Sequence, residues 1–137
     1  MTNTNRILVL DDVLANQRLY SAALRTMGEV IIANNGQEGL EKFTAEPESY
    51  VLILTDNTMP IMSGMNFLQQ IAKYKLPSRL MISSDKYPDD MHKTVVRFGG
   101  LGLYQKPVSI RELRQIVTEL LSEGVSPTLE EYFKKNY

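Results

Sequence analysis

Short apolar runs punctuate the chain at regular intervals: Ile7 to Leu10, Val30 to Ala33, Val51 to Leu54, Leu80 to Ile82 and Leu101 to Tyr104. Most are rich in Val and Ile and show no polar alternation. That is the signature of strands covered on both faces, as in a parallel sheet. The stretches between them carry helical spacing. In the first, Leu19, Ala23 and Met27 recur every four residues with Tyr20 and Leu24 beside them, and Gly28 is read as the stop. In the last, Ile110, Leu113, Val117, Leu120 and Leu121 share a face behind a capping Ser109. Weaker helical patterns cover about 36–46, 63–73 and 88–98 by the same spacing rule. Five strands alternating with five helices predict an α/β fold with a doubly wound five-stranded parallel sheet, helices on both faces.

Residues 124–137 fall outside this alternation. Ser126-Pro127 could open a short helix with proline at its first position. Leu129, Tyr132 and Phe133 would share one face. Early Glu130 and Glu131 with late Lys134 and Lys135 suit the helix dipole. The chain therefore divides into 1–123 and a C-terminal tail, 124–137.

The polar residues that follow the strands point to chemistry. Asp11-Asp12 follow the first, Asp56 the third, Ser83-Ser84 the fourth and Lys106-Pro107 the fifth. In open parallel sheets ligands bind beyond the carboxyl ends of the strands. Three carboxylates, a hydroxyl and an ammonium would meet there. Clustered carboxylates repel one another, so the group needs a cation. Mg2+ suits it, being a hard ion that takes oxygen ligands. A metal and a lysine beside a carboxylate make a phosphoryl-transfer arrangement in which one carboxylate is the nucleophile.

Size and charge narrow the alternatives. The chain has 137 residues, enough for one domain with its own core. Fifteen basic residues against sixteen acidic ones leave a net charge of −1, which argues against direct nucleic-acid binding. With no cysteine, disulfides and thiolate metal sites are excluded. The short polar start MTNTNR and the four-residue apolar run after it make neither a signal peptide nor a membrane span, so a cytoplasmic protein is expected.

The pair Asp11-Asp12, the run Asp56-Asn57-Thr58-Met59-Pro60-Ile61-Met62-Ser63-Gly64, Ser83 and Lys106-Pro107 together resemble the receiver domains of bacterial response regulators, including the single-domain chemotaxis (CheY-like) type. The resemblance implies a flavodoxin-like strand order 2-1-3-4-5. It implies that Asp56 is the phosphoacceptor and that Asp11, Asp12, Asp56 and the Thr58 carbonyl hold Mg2+ or Mn2+. It also implies that Ser83 and Lys106 contact the phosphoryl group and that the Lys106–Pro107 bond is cis. The donor would be a sensor histidine kinase or phosphotransfer protein. The output would be a protein contact on the 88–98, strand five and 109–123 surface, and a homodimer is considered. Thr58 and Asp85 stand at the family's tuning positions.

One departure matters. Three residues before the lysine, where the family carries Tyr or Phe, stands Leu103; Tyr104 is one place later, on the opposite strand face. A phosphorylation-independent pseudo-receiver is therefore kept as an alternative; since residues 124–137 are too few to form a DNA-binding domain, a receiver excised from a longer regulator is kept as well. A haloacid-dehalogenase-type phosphatase needs D-x-D after strand one, and here the sequence is Asp11-Asp12-Val13. Flavodoxin needs a neutral phosphate loop there, and two aspartates would repel a phosphate. No enzymatic turnover is expected beyond self-catalysed phosphoryl acceptance and slow loss. His92 is placed on an exposed helix with no catalytic or metal role, and Met59 and Met62 are read as packing residues.

Overall fold

The structure is a computed structural model that describes residues 5–84 and 86–137. Strands β1 (Arg6–Leu10), β2 (Glu29–Ala33), β3 (Tyr50–Thr55), β4 (Ser78–Ser83) and β5 (Leu103–Gln105) form one parallel sheet in the order β2-β1-β3-β4-β5. Helices α1 (Leu14–Leu24), α2 (Gly36–Ala45), α3 (Gly64–Gln70), α4 (Pro88–Arg97) and α5 (Ile110–Glu123) make the crossovers, and α6 (Pro127–Asn136) follows. The expected doubly wound α/β sheet with order 2-1-3-4-5 is the one observed.

The pattern of alternate strand residues explains two cores. Ile7, Val9, Leu52, Leu54, Leu80, Ile82 and Tyr104 face α1, α5 and α6. Leu8, Leu10, Ile53, Met81 and Leu103 face α2, α3 and α4. Because both sheet faces are covered, the strands read as unbroken apolar runs.

Several boundaries differ from expectation, each for a local reason. In α1 the buried residues are Tyr20, Ala23 and Leu24, while Leu19 is 43% exposed. The helix ends at Leu24, before Gly28, which instead lies against the Asn5 carbonyl with no room for a Cβ. Helix α3 stops at Gln70. Past it Tyr74 N–H goes to Ile71 O (3.0 Å), and the fully buried Arg79 guanidinium donates to the carbonyls of Ile71 and Tyr74 (2.9 and 3.0 Å), satisfying acceptors left open beyond the helix end. Strand β5 begins at Leu103 because Gly102 has φ +145°. The expected helix starts are present, Ser109 accepting from Glu112 N–H and Ser126 from Leu129 N–H; Gly124, not singled out from sequence, closes α5 in the left-handed conformation.

Candidate functional site

Each polar strand-end residue reaches the same end of the sheet through ladder geometry. The backbone of β1 runs into Asp11, whose N–H is held by the Ala33 carbonyl at 3.0 Å. Asp56 N–H is held by Leu10 O at 2.9 Å, and Lys106 N–H by Ser83 O at 2.9 Å. Among the described residues, oxygens of Asp11, Asp12 and Asp56 lie within 4.8 Å of one another. Lys106 Nζ stands 3.5 Å from Asp11 Oδ2 and 3.3 Å from Asp56 Oδ2. The three acids and the lysine expected to meet do meet.

Their surroundings differ. Asp11 is 1% exposed and accepts from Val13 N–H (2.9 Å) and the Asn16 side chain (3.2 and 3.3 Å). Asp12 is exposed and caps nothing: the N-cap of α1 is Val13, without a side-chain cap bond. That leaves Asp12 available to a ligand. Asp56 is half-buried, and burial pushes its carboxyl above the usual range; the Lys106 ammonium and the Asn57 N–H oppose this, and Asp11 adds to it. Burial pushes the Tyr20 phenol up as well, with the charges of Asp11 and Asp56 adding to the rise, so the negative field extends onto α1.

The run from Asp56 to Gly64 is built by close packing. Asn57 carries both ends of the turn: its carbonyl takes Gly64 N–H (2.8 Å) and its side chain takes Met65 N–H (3.0 Å). A Cβ on Gly64 would overlap the Asp56 carbonyl, so only glycine lets α3 start here. Met59 is buried in the core and Met62 packs against it, as expected. Ile61 bridges them with φ 70° and a side chain 83% exposed. Thr58 is exposed within the same turn. Ser83 is 3% exposed at the end of β4, and Lys106–Pro107 is cis. Asp85 lies outside the described residues.

Leu103 is fully buried on the α4 side, and Tyr104 is buried on the other face, donating its hydroxyl to Glu112 (2.5 Å). His92, expected on an exposed helix, is half-buried: its Nδ1 accepts Leu103 N–H at 3.1 Å and its ring stacks on Tyr137. Asn16 was not singled out from sequence, Asn57 entered only as part of the run, and this histidine was given no role. Only the spacing of Asn57 beside Asp56 carried a signal, since Asn side chains habitually organise turns.

The three carboxylates fit a divalent ion. An octahedral Mg2+ at about 2.1 Å sets opposite ligands about 4.2 Å apart, close to the span of these oxygens. A doubly wound parallel sheet with an acid cluster and a lysine at its carboxyl edge defines a class: α/β switch domains that handle phosphoryl groups. Residues 7–118 match the family model of the response regulator receiver domain. The chain belongs to that family, and thus to two-component signalling. The transcriptional regulatory protein CpxR homolog of Haemophilus influenzae is 30% identical over 126 residues, covering 90% of this chain and 53% of that protein. The chemotaxis protein CheY of Treponema pallidum is 25% identical over 118 residues, covering 85% and 82%. The crystal structure of a CheY-like receiver domain protein from Methanospirillum hungatei superposes with TM-score 0.78 at 28% identity, covering 93% and 98%. The chain thus spans about half the length of the first relative and most of the second. Among the described residues no helix is long and apolar enough to cross a membrane.

Proposed function

We propose that this chain accepts a phosphoryl group on Asp56 and signals through a phosphorylation-dependent protein contact. The observation that supports this most is Lys106 Nζ shared between Asp11 and Asp56 inside the three-carboxylate cluster. Asp11, Asp12, Asp56 and the Thr58 carbonyl would hold Mg2+ or Mn2+, which supplies charge stabilisation for the transferring group. An Asp56 oxygen forms the bond to phosphorus. The bond from phosphorus to a donor's imidazole nitrogen breaks, and its electron pair leaves with that nitrogen, which takes up a proton from solvent. Lys106 stabilises the added charge, and the Ser83 hydroxyl donates to a phosphoryl oxygen. Thr58 and Asp85 would tune how long the acyl phosphate lasts.

The donor is a sensor histidine kinase or a phosphotransfer protein, in the cytoplasm. Exposed Val13 and Leu14, directly after Asp12, and exposed Ile61 supply apolar contacts beside the acids. Residues 1–123 form the receiver unit and 124–137 an appended segment. Direct nucleic-acid contact and turnover of a substrate form no part of this reading.

Incubation of the full chain with acetyl phosphate and Mg2+, followed by intact mass, tests it. One phosphoryl adduct is expected, absent in Asp56→Ala. The buried Leu103 at the family's aromatic position favours a second reading, a pseudo-receiver that binds partners without phosphate. Metal binding with no adduct would decide for it.

A further inference from the structure

The free edge of β5 is covered, and side chains of α4 and of the C-terminal segment do the covering. Leu103 N–H goes to His92 Nδ1 (3.1 Å), Leu103 O takes the Tyr137 hydroxyl (3.0 Å), and Gln105 N–H goes to the Tyr132 oxygen (2.9 Å). The rings stack behind these bonds. Tyr132 lies on Tyr104 (4.5 Å, 18°), Tyr137 on His92 (4.0 Å, 5°), and Phe133 is 4.7 Å from His92. Gly102 makes room: a Cβ there would overlap the His92 ring and Phe133.

The two halves of α6 are held differently. Its first turn is fastened to α5: Glu119 accepts from the Ser126 hydroxyl (2.6 Å) and from Thr128 N–H and Oγ1 (3.1 and 2.9 Å), and Leu129 is 2% exposed in the core. The second half, from Tyr132 to Tyr137, holds on to β5 and His92 through hydroxyls and ring faces. Those bonds end one residue from Lys106, whose ammonium is shared between Asp11 and Asp56.

We propose that the second half of α6 is a releasable latch on β5, and that phosphorylation of Asp56 opens it. This rests on the acceptor role proposed above. A phosphoryl group makes Asp56 more negative and carries that charge farther out, so Lys106 is drawn off Asp11. The Lys106 amide adjoins Gln105, and the displacement moves the Gln105 N–H away from Tyr132. An edge strand without its cover offers unpaired backbone groups to a partner. The latch therefore decides when the α4, β5 and α5 surface can be contacted. By linkage, loosening the latch favours the phosphorylated state by the same factor.

His92 is the chain's single histidine, so its ring gives one unambiguous set of NMR signals. In the full chain, stacking on Tyr137 shifts these signals upfield. Mg2+ with beryllofluoride, a phosphoryl mimic, is expected to remove that shift while perturbing the Asn57 amide beside Asp56. The Tyr132→Phe, Tyr137→Phe double variant, which keeps the apolar rings, is expected to bind beryllofluoride about fivefold more tightly. Binding at Asn57 with the His92 signals unmoved and affinity unchanged in the double variant overturns the latch and leaves the acceptor reading intact. No perturbation at Asn57 overturns the acceptor reading, and the latch with it.

Discussion

The acid pocket and the β5 edge adjoin at Lys106 and solve opposite problems. At the edge, donors and acceptors that a sheet margin would expose are matched by three side-chain bonds and stacked rings. In the pocket, three carboxylates cluster and one ammonium pairs with two of them, Asp11 and Asp56. Leaving charge of one sign uncompensated costs stability, so a cation from outside would relieve the pocket. The edge is finished by the chain itself. Places where a fold leaves a polar cluster unbalanced are where chemistry is to be sought, and places where it overcompensates an edge are where control is to be sought.

The largest effect concerns how firmly the edge cover is rooted. Leu129→Ala removes a fully buried side chain beneath α6 and is expected to cost about 3 kcal/mol in urea unfolding. Leu19→Ala, on the exposed side of α1, is expected to change stability by less than about 0.5 kcal/mol. Equal costs at the two positions would mean α6 is not seated as described.

The pocket should respond to metal where the edge does not. Mg2+ at a hundredfold excess over its Kd should stabilise the chain by about 2.7 kcal/mol, read as a rise in Tm. The Asp12→Asn, Asp56→Asn variant should lose that rise. A full rise in this variant would place the cation elsewhere.

How much of this contrast was legible in the sequence follows from which interactions are local. The five strands and the acid pocket were readable, because strands covered on both faces are continuously apolar and the polar residues stand directly after them, at Asp11, Asp56 and Lys106. On the α1 face read from sequence, Leu19 is the position that does not pack. Leu19 and Tyr20 both fit a four-residue spacing, and packing against α5 selects Tyr20. The early end of α3 was not legible locally; the carbonyls beyond it are satisfied by Arg79 from a later strand. The Leu129, Tyr132, Phe133 stripe announced that α6 packs on something, but nothing local says that this is β5. The role of His92 arises only from the arrival of Leu103 and Tyr137 around it.

That tertiary role predicts a pH dependence confined to the edge. Nδ1 of His92 accepts a hydrogen bond from Leu103 N–H, so the seated ring is neutral. Burial holds its pKa below the ordinary 6.5, with Asp89 on its own helix pulling the other way; from α6 it faces the neutral Tyr137 and Phe133. Below 6.5 the unfolded chain binds the proton and the folded chain resists it. His92 therefore contributes stability that is present above that pH and lost as pH falls through the folded value. His92→Gln, which keeps an acceptor that does not titrate, should flatten this part of the stability-pH curve. An unchanged slope would show that the ring is not the acceptor.

The smallest effect separates the two ends of α6. Tyr132→Phe deletes the partner of Gln105 N–H but keeps the ring on Tyr104, at an expected cost of about 1 kcal/mol. Thr128→Val, in the anchored first turn, should cost a similar amount through Glu119. Their equal cost makes them a matched pair: if the second half of α6 alone reports on the pocket, Tyr132→Phe shifts beryllofluoride affinity and Thr128→Val does not. Equal shifts from both would mean that α6 responds as one rigid piece, and the division between a fastened turn and a releasable one would fall.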